Sequence, residues 1–217
     1  MAGNRVPITR EAKAIAGFGG RLAFAISTGR DSAVMLALMS HFTDLTKHRF
    51  FFWSRFAEVL PFQRRYLSML EKRYSIHIDV HLWPETYRST QGAFVADYLE
   101  KNGCSLCCFG YRMDESLQRR GMLKALEDGI DRKRLWAYPL RSFTKPKIRA
   151  YVKAHRVPLS IEYNFGLKRD LNDFRSMNAV YLREVIGEED YQCAIRQDPN
   201  IEIDYMRCTR NEEGQGT

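Results

Sequence analysis

The stretch Ser27-Thr28-Gly29-Arg30-Asp31-Ser32 decides the fold, because it joins two apolar segments of different character. Leu22–Ile26 before it predicts a short buried strand, and Ala33–Met39 after it predicts a largely buried helix. The first N–H groups of a helix lack partners within the helix, and the peptide dipoles place partial positive charge at that end. A short, hydroxyl-rich turn at this junction is therefore a candidate phosphate site.

The individual side chains of this turn suit a phosphate ligand. Gly29 lets the backbone approach a ligand closely, and Arg30 adds a positive charge. The hydroxyls of Ser27 and Ser32 can donate to phosphate oxygens. Asp31 is predicted to cap the helix and is a candidate Mg²⁺ ligand. The alternative is an ordinary polar turn that caps a core helix.

The turn resembles the pyrophosphate loop, Ser-Gly-Gly-x-Asp-Ser, of the adenine-nucleotide α-hydrolase (PP-loop ATP pyrophosphatase) superfamily, whose members cleave ATP between its α and β phosphates. It is most similar to the branch that holds phosphoadenosine phosphosulfate (PAPS) reductase and the sulfate adenylyltransferase small subunit. Thr28 replaces the first Gly, and Arg30 stands where Lys is common. The resemblance implies that ATP or PAPS, with Mg²⁺ at Asp31, binds to Ser27, Thr28, Gly29, Arg30, Asp31 and Ser32. The turn does not match the Gly-x-x-x-x-Gly-Lys-Ser/Thr loop of motor proteins and GTPases.

A second segment of the chain is similar to the same superfamily. Cys104–Phe109 predicts another short strand, and Gly110–Arg120 follows it. In the superfamily a Gly-x-Arg-x-x-Glu-Ser/Glu-x-x-Arg segment follows the fourth strand and faces the nucleotide; the matching residues here are Gly110, Arg112, Glu115, Ser116 and Arg119. The resemblance implies that Gly110 and Arg112 contact the nucleotide and that Arg112 and Arg119 are catalytic, since a guanidinium suits bidentate contact to phosphate or sulfate. The alternative is a solvated, salt-bridged helix start.

A third similarity begins at Tyr138-Pro139-Leu140 and continues into a predicted helix, Pro146–His155, with Thr144 as its N-cap. The three segments occur in the superfamily's order and cover about residues 20–160. The resemblance implies a Rossmann-like, doubly wound α/β fold with a mostly parallel five-stranded sheet. We therefore predict a nucleotide-binding domain over 1–160 and a C-terminal helical extension and tail over 161–217, in which Lys168 and Arg169 are candidates for substrate specificity.

Strand and helix patterns alternate between the first two segments. Phe50–Trp53 predicts a second strand, Leu60–Tyr74 an amphipathic helix and Ser75–Leu82 a third strand. This order favours a parallel sheet with right-handed crossovers and a ligand at the carboxyl ends of the strands, where the residues after Trp53 would border the adenine. The third strand alternates, which predicts an edge strand whose solvated face carries His77, Asp79 and His81. A metal site on that face is the alternative.

Composition places the chain among single-domain globular proteins. Its 217 residues, 45% of them hydrophobic, can bury one α/β core. The sequence shows no apolar run that predicts a membrane span and no secretion signal, so we expect a cytoplasmic protein. Five cysteines argue against a disulfide scaffold. Cys104, Cys107 and Cys108 are expected in the core, and no iron–sulfur cluster is expected; metal or redox use, with Cys193 and Cys208, is the alternative.

The formal net charge of +8 indicates phosphate-rich partners; the alternative is ordinary solvated helix faces. The partners that we expect are an adenine nucleotide, sulfate or another sulfur-containing substrate, nucleic acid, and a second copy or partner subunit. The resemblance implies three candidate functions: an enzyme of sulfate activation, sulfate reduction or adenylyl transfer; an ATP-dependent sulfur-transfer component that modifies DNA or tRNA; and a nucleotide-binding regulatory protein without turnover. PAPS reductases carry a catalytic Cys near the C-terminus in a Glu-Cys-Gly-(Leu/Ile)-His setting, which differs from the surroundings of Cys208 in this chain.

Overall fold

A central sheet organises the molecule. The computed structural model describes residues 10–54, 56–82, 87–163, 182–203 and 205–206; for residues 87–90 and 162 it describes the backbone alone. Within this part of the chain the strands are β1 (Arg21–Ile26), β2 (Arg49–Ser54), β3 (Ile78–Leu82), β4 (Cys104–Cys108), β5 (Ile130–Asp131) and β6 (Trp136–Ala137). The helices are α1 (Arg10–Ala16), α2 (Arg30–Met39), α3 (Pro61–Tyr74), α4 (Tyr87–Asn102), α5 (Leu117–Lys124), α6 (Lys145–His155) and α7 (Glu188–Gln197).

The strand order β3-β2-β1-β4-β6-β5 confirms the doubly wound α/β prediction. The chain passes from β1 to β2 and β3 on one side and then crosses back to β4 on the other, with all these pairs parallel. The ligand crevice of such sheets lies where the order reverses, at the carboxyl ends of the strands. The fold therefore places a candidate site between the ends of β1 and β4.

The predicted strand count of five was wrong, because the described residues form six. The last two strands are two residues each, and β5 runs antiparallel to β6. A strand of two residues is too short to produce an alternating pattern, so its pairing follows from the tertiary fold.

The core lies on both faces of the sheet. Alternate residues of β1 enter different clusters: Leu22, Phe24 and Ile26 pack with α2 and α6, whereas Ala23 packs with α4. Every residue of α2 from Ser32 to Met39 is buried, as expected for a helix that is apolar on all sides. The predicted N-cap Thr144 is confirmed, since its side chain accepts a hydrogen bond from the N–H of Lys147.

The edge strand β3 differs from its sequence prediction. Its aliphatic residues Val80 and Leu82 are 49% and 60% exposed, whereas the Asp79 and His81 side chains face α4. The Tyr98 hydroxyl donates to Asp79 over 2.7 Å, and the rings of His81 and Phe94 are 5.0 Å apart. The prediction of a solvated polar face was therefore wrong for Asp79 and His81, although the His77 side chain is 78% exposed, because alternation separates two faces without showing which one a helix covers.

The C-terminal part of the described chain packs against α3. The Asp190 side chain, 2% exposed, accepts a hydrogen bond from the N–H of Phe62 over 2.8 Å and pairs with Arg65. It thereby satisfies one of the N–H groups that the start of α3 leaves without a helical partner. The predicted division into 1–160 and 161–217 remains a prediction. None of the described helices combines the length and apolarity that crossing a membrane requires.

Candidate functional site

The loop between β1 and α2 closes against the end of β4. A Cβ built on Gly110 would lie 3.1 Å from the carbonyl carbon of Asp31 and 3.1 Å from the nitrogen of Ser32. Such distances are shorter than most Cβ contacts in proteins, so the absence of a side chain at this position favours the close approach of the two backbones. Gly110 therefore holds the segment after β4 against the first turn of α2.

The two serine hydroxyls of the loop hold its backbone. Ser32 Oγ accepts a hydrogen bond from the N–H of Ser27 over 3.0 Å, and Ser27 Oγ accepts one from the N–H of Gly29 over 3.2 Å. A hydroxyl that accepts in this way keeps its own proton for donation. Thr28 and Ser32 are 1% and 6% exposed, so the loop is packed into the protein.

The start of α2 differs from the sequence prediction. Gly29, in an extended conformation, is the N-cap and makes no side-chain capping bond, so the prediction that Asp31 caps the helix was wrong. Asp31 is instead in the first turn, where its negative charge still interacts favourably with the helix dipole. Its Oδ2 atom lies 3.0 Å from both Nε and one terminal nitrogen of Arg112. Its Oδ1 atom is buried and has no hydrogen-bond partner among the described residues.

Arg112 is the centre of a charged cluster, which we call the Arg112 cluster and define as Arg112, Asp31, Asp114 and Glu115. Arg112 is 5% exposed, pairs with Asp31 and Asp114, and has Glu115 Oε1 at 3.9 Å. Asp114 also accepts a hydrogen bond from the N–H of Lys145 over 2.6 Å. The Arg112 guanidinium therefore joins α2, the loop after β4 and the start of α6 through the carboxylates of Asp31 and Asp114.

The Arg112 cluster holds three carboxyl groups around one guanidinium. Burial and the charge of Asp31 raise the pKa of Glu115 to about 7, against the opposing attraction of Arg112 and Arg119. A cluster in this state gains or loses a proton near neutral pH. It also carries more negative than positive charge when all three carboxyl groups are ionised.

Arg119 and Arg30 have other contacts. The Arg119 Cζ atom lies 3.3 Å from the centroid of the Tyr111 ring, and its Nε lies 3.7 Å from Glu115. Arg119 is thus held by a cation–π contact on the β4 side of the crevice. The N–H of Arg30 donates to the hydroxyl of Tyr163 over 2.9 Å, and its guanidinium lies 5.7 Å from that ring.

Tyr163 and Asp114 contact the predicted site, and the sequence reasoning missed both roles. Tyr163 follows Arg30 by 133 residues, so no local pattern connects them. Asp114 lies inside the second motif, at one of its unspecified positions, and its spacing of two from Arg112 is the signal that could have indicated the pair. Lys168 and Arg169, the predicted specificity residues, lie outside the described residues. Of the residues predicted to border the adenine, Ser54 and Phe56 are buried, and Arg55 lies outside the described residues.

The donor atoms at the site fit Mg²⁺ in one respect. Mg²⁺ is usually held by one or two carboxylates together with substrate phosphates. The unpartnered Oδ1 of Asp31 can serve as such a ligand, although among the described residues no three or more His, Cys, Asp or Glu side chains are placed so that they could hold one metal ion. The cysteines do not converge: Cys107 and Cys108 point to opposite faces of β4, and Cys208 lies outside the described residues.

Comparisons with known proteins identify the fold. Neither a protein-family model nor a curated protein matches the sequence. Among solved structures, PAPS reductase from Candida auris in a phosphate complex is similar, with a TM-score of 0.50, 13% identity and coverage of 74% of this chain and 85% of that one. The U34-tRNA thiolase NcsA from Methanococcus maripaludis, with its [4Fe-4S] cluster, gives a TM-score of 0.51, 10% identity and coverage of 89% and 78%.

A third similar structure is an adenylyltransferase. Candida glabrata FMN adenylyltransferase gives a TM-score of 0.51 at 14% identity, with 70% of this chain and 52% of that one covered. Identities this low show the fold alone. The chain therefore has the PP-loop, adenine-nucleotide α-hydrolase-like fold that the sequence motifs predict.

Proposed function

We propose that this chain is an enzyme that binds ATP or a phosphosulfate nucleotide at the start of α2 and acts by adenylyl transfer. One observation carries the proposal: the Ser27–Ser32 loop lies at the carboxyl end of β1 and is closed by Gly110 and Arg112 across the point where strand order reverses. Phosphate binding at a helix start of this kind uses the N–H groups and the dipole together. The similar solved structures include an adenylyltransferase and a PAPS reductase with phosphate.

The chain's own residues would bind and orient the nucleotide. The first-turn N–H groups of α2 after that of Arg30, which donates to Tyr163, would hold the pyrophosphate part together with the Arg30 side chain. The hydroxyls of Ser27 and Ser32 would donate to its oxygens. Arg112 would act by fixing Asp31, since its guanidinium is enclosed by carboxylates. Mg²⁺ at Asp31 would supply charge neutralisation between the phosphates.

Adenylyl transfer requires positioning more than acid–base chemistry. With ATP, an acceptor oxygen attacks the α-phosphorus, the bond from that phosphorus to the bridging oxygen breaks, and pyrophosphate leaves with the electron pair; with a phosphosulfate nucleotide, sulfate would leave instead. Oriented N–H groups and cations lower the barrier by stabilising the charge on the leaving group.

Thiol chemistry has less support among the described residues. Reduction of a phosphosulfate begins with attack by a thiolate. Cys104, Cys107 and Cys108 are all buried, and burial raises the pKa of each thiol. Burial therefore disfavours the reactive thiolate form of these three groups, and Cys208 lies outside the described residues.

A ligand screen followed by a turnover assay tests the proposal. We expect ATP, adenylyl sulfate or PAPS, added with Mg²⁺, to raise the melting temperature, because a ligand of the folded state stabilises it by mass action. Asp31→Asn should remove this shift, whereas Asp97→Asn, at an exposed carboxylate that pairs with Lys101, should keep it. If Asp31→Asn does not fold, Ser32→Ala replaces it. No shift with any of the three nucleotides would refute the proposal, and a shift with ATP but no release of pyrophosphate from it under any acceptor tested would support a regulatory protein instead.

A further inference from the structure

Helix α6 carries a line of exposed cations. Lys145, Arg149 and Lys153 are spaced by four residues, so they lie along one side of the helix, about 6 Å apart and about 12 Å from end to end. We call these three residues the cationic stripe. The opposite side of α6 is fixed in the core through Ile148 and Tyr151, which are buried. The stripe is therefore presented to solvent on a rigid element.

The stripe has an electrostatic cost within the protein. Like charges four residues apart destabilise a helix, and a cation in the first turn opposes the helix dipole. No Asp or Glu occurs between Thr144 and Arg156, and Lys147 and Arg156 add two more exposed cations to the same segment. Within the part of the chain that the structure describes, none of the three stripe side chains forms an ion pair.

Other helices of the chain carry cations that are paired. Arg64 and Arg65 of α3 interact with Glu58 and Asp190. Lys101 of α4 interacts with Asp97 over 2.9 Å. Helix α6 thus differs from α3 and α4 in having no carboxylate of its own, and an external anion would relieve the repulsion among its cations.

The stripe begins beside the candidate site. The N–H of Lys145 donates to Asp114, whose other oxygen contacts Arg112 in the Arg112 cluster. From there the stripe leads away along α6 toward His155, which stacks on Tyr151. A polymer bound along the stripe would reach the rim of the crevice with one end.

We propose that the cationic stripe binds the phosphodiester backbone of a nucleic acid. A single nucleotide or a sulfate ion is too short to contact three cations over about 12 Å, whereas one polynucleotide strand presents about three phosphates over that length. The stripe side of α6 carries no exposed large apolar residue, which a membrane-surface helix would need. The contact is to the backbone, so the surface selects a polyanion and leaves base selection to other residues. This inference does not depend on nucleotide binding at α2.

Binding of a labelled oligonucleotide tests the stripe. The variant Lys145→Gln/Arg149→Gln/Lys153→Gln removes three charges from α6, and the control Lys13→Gln/Lys72→Gln/Arg73→Gln removes three from the exposed surfaces of α1 and α3. Fluorescence anisotropy with single-stranded RNA and DNA of one sequence, about 20 nucleotides long, is followed from about 50 to 200 mM salt. We expect the stripe variant to lose affinity on the order of tenfold or more and to reduce the log–log salt slope by about 2. The control should change affinity by less than about threefold, as screened, non-contacting charges do.

Several results would overturn the inference. Equal losses in both triple variants would show a general effect of net charge, and no binding of either oligonucleotide at about 50 mM salt would show that nucleic acid is not the partner. Binding to phosphatidylserine vesicles that depends on the stripe, without oligonucleotide binding, would assign the surface to membranes. Equal affinity for RNA and DNA would support backbone recognition, and preference for RNA would identify that polymer as the source of the phosphates. The stripe variant should melt no lower than wild type, and nucleotide should still raise its melting temperature. A failure of the nucleic-acid inference can therefore be distinguished from a failure of the proposed nucleotide-binding function.

Discussion

Replacement of Gly110 by alanine probes the contact that closes the candidate site. The added Cβ would lie 3.1 Å from the carbonyl carbon of Asp31, 3.1 Å from the nitrogen of Ser32 and 3.2 Å from the carbonyl oxygen of Asp31. All three atoms belong to the backbone, so no flexible side chain can move away. The segment after β4 and the start of α2 must separate by a few tenths of an ångström. Overpacking of this kind costs about 1–3 kcal/mol, offset by less than about 1 kcal/mol from the reduced entropy of the unfolded chain.

We therefore expect Gly110→Ala to lower the free energy of unfolding by about 1–2 kcal/mol, or the melting temperature by about 2–8 °C for a chain of this size. Nucleotide affinity should fall about threefold to tenfold, because the first-turn N–H groups of α2 move with the contact. Denaturant unfolding and calorimetric titration measure the two quantities.

Gly121→Ala is the matched control. A Cβ on Gly121, in the middle of α5, meets nothing within 4 Å. Alanine there should stabilise the protein by about 0.5–1 kcal/mol, because glycine is the poorer helix former. If Gly110→Ala is as stable as Gly121→Ala and binds nucleotide as tightly as wild type, the close packing of Gly110 on α2 is refuted.

Three further predictions concern charged groups. Arg112→Lys keeps the charge but loses the planar fork that contacts Asp31 and Asp114, so we expect a loss of about 1–3 kcal/mol in denaturant unfolding; an unchanged value would show that these pairs contribute nothing. The pKa of Glu115 is raised to about 7 from 4.5, so the folded state binds its proton more tightly than the unfolded state does, and stability should fall as the pH rises from about 4.5 through 7. Glu115→Gln should flatten that pH profile, and a profile identical to wild type would contradict the assignment. Asp190→Ala removes the side chain that binds the N–H of Phe62, and it should cost about 1–2 kcal/mol, measured as a lower melting temperature; an unchanged temperature would show that the contact with α3 does not stabilise the fold.

Much of the candidate site followed from the sequence. The strand, turn and helix around Gly29 were predicted because apolar periodicity and a polar turn are properties of neighbouring residues. The second segment was placed at the end of β4 for the same reason, and Gly110 indeed lies against α2. What the sequence could not show was the partner of each charged group. Arg112, predicted to contact an oxyanion, is enclosed by the carboxylates of its cluster.

The sequence by itself determined the alternation of strands and helices and the position of the turn at Ser27, because local backbone preferences and side-chain periodicity are fixed by residues close together in the chain. The doubly wound topology was implied by the resemblance of the motifs. Only the tertiary structure decided that α4 covers the face of β3 with Asp79 and His81, and that Tyr163 reaches the first N–H group of α2. Those contacts join residues far apart in the chain. Their formation depends on how whole surfaces are buried together, and the local sequence pattern does not contain that information.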